Sequence, residues 1–158
     1  MATDRSGSKD SLRSPREYPA RPLVGVGVVV FRDDTVLLIR RGKPPRMGEW
    51  SLPGGAQKIG ETVRETAARE VFEETGVTIT ALRFLEVIDS ITRDSAGRVQ
   101  FHYTLIDFLA EWQCGDLLVA GDAGHAEWIP FAQLDEIPLW SKTVEVIRKA
   151  EGLRRPNA

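Results

Sequence analysis

Apolar side chains gather in a few runs whose spacing predicts the elements. Val24 to Phe31 is apolar throughout except for Gly25 and Gly27. It falls well short of the roughly 20 residues needed to cross a bilayer, so it predicts a buried strand. The β-rich run Thr35 to Arg40 follows at once, and the turn-prone pair Asp33-Asp34 between the two predicts a hairpin. Pro44-Pro45 forces a loop. Trp50-Ser51-Leu52-Pro53-Gly54-Gly55 then reads as a short extended piece ending in a turn, where glycine takes backbone angles closed to other residues. Further on, Val77 to Ile88 and Val99 to Trp112 are rich in β-branched and aromatic residues, and Asp94-Ser95-Ala96-Gly97 separates them, so two strands are expected. A loop through Gly121-Asp122-Ala123-Gly124 leads to a short strand at Trp128-Ile129. Ser141 to Ala150 sets Val144, Val146 and Ile147 among charges, as a surface helix does.

Between the glycine turn and Val77 lies a second helix with both of its punctuation marks. Thr62 and Glu65 have the spacing of a capping box, and Gly76 supplies the stop, which predicts a helix from Val63 to Thr75. At about 100° per residue, Val63, Ala67, Ala68, Val71 and Phe72 share one half of its surface. Glu70, Glu73 and Glu74, at i, i+3 and i+4, converge on an arc of about 100° beside that buried half. Strands, helix, strands and helix in this order predict an α/β fold with a mixed central sheet and helices packed on it.

Size and composition place this pattern in one domain: 158 residues, 42% hydrophobic, can bury a core without disulfides. The expected divisions are a disordered tail over 1–20, a folded domain over 21–152 and a short tail over 153–158. The first tail is rich in charge, serine and proline and lacks the apolar core of a secretory signal. With 21 basic and 23 acidic residues the net charge is −2, so there is no basic field to hold long nucleic acid, and a small discrete ligand is expected. The single Cys114 has no disulfide partner in the chain, suits a reducing, cytoplasmic setting, and is expected in the core. Trp50, Phe101, Tyr103 and Trp112 are expected mainly in the core, with base stacking as their other use. His102 and His125 lack metal-ligand spacing and are expected to be solvated or hydrogen-bonded.

The glutamate arc is a poor place for carboxylates. It borders the buried face, its members repel at i,i+4, and Glu73 and Glu74 sit in the last helical turn, where the dipole favours cations. A hard divalent cation such as Mg²⁺ resolves the conflict, because it takes carboxylate oxygens, keeps waters and accepts phosphate oxygens. A solvated acidic helix end neutralised by Arg64 and Arg69 is the plain alternative.

The flanking residues weigh against that alternative. Gly55, Glu61, Arg69, Glu70, Glu73, Glu74 and Gly76, with apolar Val71 and Val77, match every fixed position of the box that marks the Nudix hydrolase family. Seven identities and two apolar positions would coincide by chance on the order of once in 10⁹ starting points. The resemblance implies the family's α/β/α sandwich. It implies that Glu70, Glu73 and Glu74, with the carbonyl of Gly55, hold the divalent metal, and that Glu61 is a further acid near it. Arg69 would orient these glutamates through salt bridges.

The chemistry so implied is attack of water on phosphorus, with Mg²⁺ or Mn²⁺ screening the charge, in a phosphoanhydride of a nucleoside diphosphate joined to another group. Two bases stand open: Glu70 from the box, and Glu127, whose Glu127-Trp128 pair resembles one that follows a Gly-rich loop in MutT-type members. Arg41 resembles an arginine that contacts phosphate, with Arg40 as its neighbour and rival. An ADP-ribose-like or dinucleotide substrate is expected first and a nucleoside triphosphate second. A non-catalytic nucleotide sensor is the reading from another class. The partner is a small nucleotide, with no membrane and no long nucleic acid, and the resemblance allows a homodimer.

Overall fold

Val24 to Phe31 forms the middle of strand β1 (Leu23–Arg32), and Val28, Val29, Val30 and Phe31 are fully buried. The computed structural model describes residues 15–43, 46–118 and 125–154. Pro44-Pro45 and the Gly121 to Gly124 loop lie outside them. β1 turns back into β2 (Thr35–Arg40) with Arg32 opposite Thr35, and Asp33 takes the left-handed conformation at φ +52° that so tight a hairpin needs.

On its other side β1 runs parallel to β6 (Val99–Cys114), which pairs antiparallel with β5 (Thr78–Arg93). β3 (Trp50–Ser51) and β7 (His125–Pro130) flank β2, and β4 (Gly54–Ala56) pairs with the start of β1. The sheet is therefore mixed, as expected. β5 and β6 each run 16 residues, β5 continuing past Ile88 to Arg93 and β6 past Trp112 to Cys114.

Because alternate side chains of a strand point to opposite faces, β1 supplies two cores. Val26, Val28 and Val30 pack with Leu37 and Phe108 against Ala67 and Val71 of helix α1 (Val63–Thr75). Val29 and Phe31 pack with Leu38, Leu85 and Leu109 against Val146, Ile147 and Ala150 of helix α2 (Ser141–Arg154). Helix, sheet and helix give the α/β/α sandwich.

Four expectations change. Phe72 is 58% exposed, because α1 meets the sheet through the narrower stripe Thr66, Ala67, Val71 and Thr75, and Phe72 is turned about 100° away from Val71. Cys114 is exposed at the far end of β6, where the strand has outrun the core. Folded chain begins before Arg21: the Tyr18 N–H donates to the Gln100 carbonyl at 2.8 Å, and its hydroxyl to Asp94 Oδ2 at 2.8 Å. At the other end α2 continues to Arg154, whose guanidinium holds both Glu111 oxygens at 2.6 and 2.9 Å. A 3-10 helix at Phe131–Glu136, not expected from the sequence, joins β7 to the approach of α2.

Candidate active site

The site begins with the way α1 is fixed. Thr62 Oγ1 accepts from the Glu65 N–H at 3.1 Å, and Glu65 Oε2 accepts from the Thr62 N–H at 2.7 Å, closing the capping box. At the other end Gly76, at φ +78°, donates to the Phe72 carbonyl at 2.8 Å. With Ala67 and Val71 pinned in the core, Glu70 and Glu74 face the sheet edge at β4. Glycine there lets the strand come close, since a Cβ on Gly55 would meet the Glu70 carboxyl group. On Gly54 it would collide with the Val26 carbonyl. The segment expected as a turn is thus a short strand that brings bare backbone up to two carboxyls.

Glu74 is the more strained of the pair. Burial, then the charge of Glu70, pushes its carboxyl up to about 8, although the Gly54 N–H stabilises the ionised form. Its Oε2 is buried with no hydrogen-bond partner. A buried oxygen without a protein partner, beside a second carboxylate, is a donor set that fits a divalent cation. The pair suits a hard, partly hydrated ion such as Mg²⁺, which needs only one or two carboxylates and fills its shell with water and phosphate. Among the described residues no three His, Cys, Asp or Glu side chains close on a common point. Of the three box glutamates expected to converge, Glu70 and Glu74 line the cleft. The Glu73 side chain is 52% exposed and turned to Arg69 at 3.1 Å.

Arg69 holds the cluster together. Its Nε and Nη2 grip the two oxygens of Glu61 at 2.9 and 2.5 Å, Nη1 meets Glu70 Oε1 at 2.8 Å, and Nη2 also donates to the Ala56 carbonyl at 3.2 Å. Glu61 in turn accepts from the Lys58 N–H and the Thr66 hydroxyl. These bonds, Arg69 first, hold Glu61 down at about 2. Glu61 does not reach the cleft. It is a buttress that fixes the arginine that fixes Glu70.

Glu70, Glu74, Gly54 and Gly55 form one end of a cleft of about 230 Å³ that extends over the sheet toward α2. Arg16, Arg41, Lys43 and Arg46 contribute to its rim, and Trp50, Tyr103 and Trp140 add rings. Arg41 belongs to the cleft and Arg40 does not: Arg40 lies exposed over Trp50 at 5.5 Å. Burial lowers the pKa of Arg41, and the Glu74 charge opposes that effect. Trp50 and Tyr103, expected mainly as core, both line the cleft, while Phe101 is buried and Trp112 donates to the Gly115 carbonyl at 2.9 Å.

Glu127 is not brought to the pair. It stands exposed on β7 opposite Leu38, with Oε1 2.6 Å from His125 Nε2, and does not line the cleft. The cleft instead contains an acid that the sequence did not single out. Asp107 of β6 is 4% exposed, and burial, then the Glu86 charge, pushes its carboxyl up to about 7. The available sequence signal was a lone aspartate inside the apolar run Leu105 to Ala110.

Comparison with known proteins bears on the family and the fold. The model of the NUDIX domain matches residues 21–150. The chain is 36% identical over 130 residues to an ADP-ribose pyrophosphatase of Methanocaldococcus jannaschii, an alignment that covers 82% of this chain and 72% of that one. The crystal structure of a MutT NUDIX hydrolase from Burkholderia pseudomallei superposes with TM-score 0.69 at 30% identity, covering 82% of this chain and 98% of that one. The NUDIX domain of Shewanella oneidensis NrtR, solved with ADP ribose, shares the fold at TM-score 0.71 and 23% identity, covering 91% and 95%. A complete box folded into a carboxylate pair at a glycine strand and a family match across the whole sandwich lead to one assignment: the chain belongs to the Nudix hydrolase family.

Proposed function

We propose that this enzyme hydrolyses the phosphoanhydride of an ADP-ribose-like compound or related dinucleotide, with Mg²⁺ or Mn²⁺ held by Glu70 and Glu74 at the Gly54-Gly55 strand. The observation that carries the reading is the buried, unpartnered Glu74 oxygen beside Glu70 at the end of a cleft with a cationic rim. The ion, when bound, supplies positive charge to the diphosphate and makes water a better nucleophile. The chain's own residues do the rest. Arg41, with Arg46 at the rim, pairs with phosphate oxygens and orients the diphosphate. Arg69, fixed by Glu61, holds Glu70 at the cleft. A water oxygen bonds to phosphorus, the bridging phosphorus–oxygen bond breaks, and the water's proton passes to Glu70. Glu70 is preferred to Glu127 as base because it lines the cleft and Glu127 does not.

ADP-ribose leads because of the Methanocaldococcus relative. A nucleoside triphosphate is the second reading, favoured by the MutT relative of known structure. Assay of ADP-ribose, a dinucleotide and nucleoside triphosphates with Mg²⁺ separates them by product. Two phosphomonoesters from ADP-ribose support the first reading. Pyrophosphate released from a triphosphate, with ADP-ribose untouched, replaces it with the second.

A further inference from the structure

Asp107 has no place in the hydrolytic machinery, and its position needs a reason. On β6 the side chains of Tyr103, Leu105 and Asp107 share the face that floors the cleft, and the next residue in that row, Leu109, is in the core. A residue serving packing alone would be apolar there. Instead a carboxyl is buried there, with Leu52 near it over Gly27, and it lines the cleft.

Across the sheet Gly27 makes room for it: a Cβ on Gly27 would lie 2.5 Å from Asp107 Oδ1. The Gly27 N–H bonds it. Among the described residues no lysine, arginine or histidine forms a salt bridge with it. Its cross-strand neighbour is another acid, Glu86, whose own cation is Lys149 at 3.5 Å. One backbone donor leaves most of the acceptor capacity of a buried carboxyl unused. Leaving it so is costly unless a ligand completes it.

We propose that Asp107 is a specificity-determining residue, which accepts a hydrogen bond from a polar hydrogen on the nucleoside half of the substrate, either an exocyclic amine of the base or a ribose hydroxyl. This rests on the nucleotide hydrolase reading above. Phosphate is the wrong ligand for a carboxylate, and Glu70 and Glu74 already define the metal end of the cleft. The rings of Tyr103, Trp50 and Trp140, which line the same cleft, suit the flat nucleoside that would bring such a donor.

The test is a selectivity ratio, which a merely structural role would not move. Wild type, Asp107→Asn and Asp107→Val are assayed with Mg²⁺ on ADP-ribose, its hypoxanthine analogue and its 2′-deoxyadenosine analogue. Wild type should prefer ADP-ribose in kcat/KM over the analogue lacking the contacted donor by about tenfold or more. Asp107→Val should bring that ratio close to one, mainly through KM. Asp107→Asn keeps an acceptor oxygen and should retain much of the preference, which also serves if Asp107→Val does not fold. Loss of the hypoxanthine discrimination identifies the amine, and loss of the deoxy discrimination identifies the hydroxyl. Turnover with both ratios unchanged in the variants overturns the Asp107 assignment alone. No turnover of any of the three by wild type removes the ADP-ribose reading and this inference with it.

Discussion

Asp107 and Glu74 are buried in this cleft against their chemical preference, and Asp107 makes a prediction at the scale of one residue. Asp107 keeps its proton up to about pH 7 in the folded chain but loses it near 3.8 when unfolded. The native state therefore binds an extra proton across that window, and stability falls as pH rises through it. The groups facing Asp107 are the Gly27 N–H on β1 and Glu86 on β5, itself paired with Lys149 of α2. Asp107→Asn removes the effect. Its Tm should match wild type near pH 4 and exceed it at pH 8 by several degrees, about 5 °C. Equal melting curves at both pH values would show that Asp107 is not held against ionisation. A second prediction concerns the base: Glu127→Gln, outside the cleft, should leave kcat at saturating Mg²⁺ within about twofold, whereas Glu70→Gln, inside it, should lower kcat by about 10² or more. A strong kcat loss in Glu127→Gln would move the base to β7. The sequence left these two candidates open because Glu-Trp is a two-residue signal. What separates them is the strand register that sets Glu127 opposite Leu38.

Helix α1 shows which parts of an element are legible in advance. Its limits, Val63 to Thr75, follow from Thr62, Glu65 and Gly76, because caps are local contacts between neighbours in sequence. Thr62→Ala should destabilise the protein by about 1 kcal/mol in denaturant titration while barely changing KM. A loss confined to activity would mean that the cap positions the glutamates without supporting the helix. Strand β4 was harder to see. Gly54-Gly55 has the composition of a turn, and only its pairing with Gly25 to Gly27 makes it a strand. Asp107 was hidden for the same kind of reason. An aspartate in an apolar strand gains meaning only from Gly27 and Glu86, far away along the chain. The glutamate box was readable down to single residues, yet its inner arrangement was not. Arg69 pairs with Glu61, Glu70 and Glu73 alike, and of these only Glu70 lines the cleft, with Glu74.

At the scale of the whole molecule, the sandwich stands without help from a metal. α1 and α2 each bury their own stripe on opposite faces of β1, and Glu70 and Glu74 add repulsion rather than support. EDTA should therefore abolish turnover and leave the far-UV circular dichroism unchanged, and Glu74→Gln should melt at the same temperature as wild type or higher in chelator. Unfolding in EDTA would make the ion structural. The most direct test of the account is turnover of ADP-ribose by Glu74→Gln at saturating Mg²⁺. A fall in kcat of about 10² or more in a variant with unchanged circular dichroism is the expected result. Wild-type kcat in that variant would contradict a metal-dependent site built on the Glu70 and Glu74 pair.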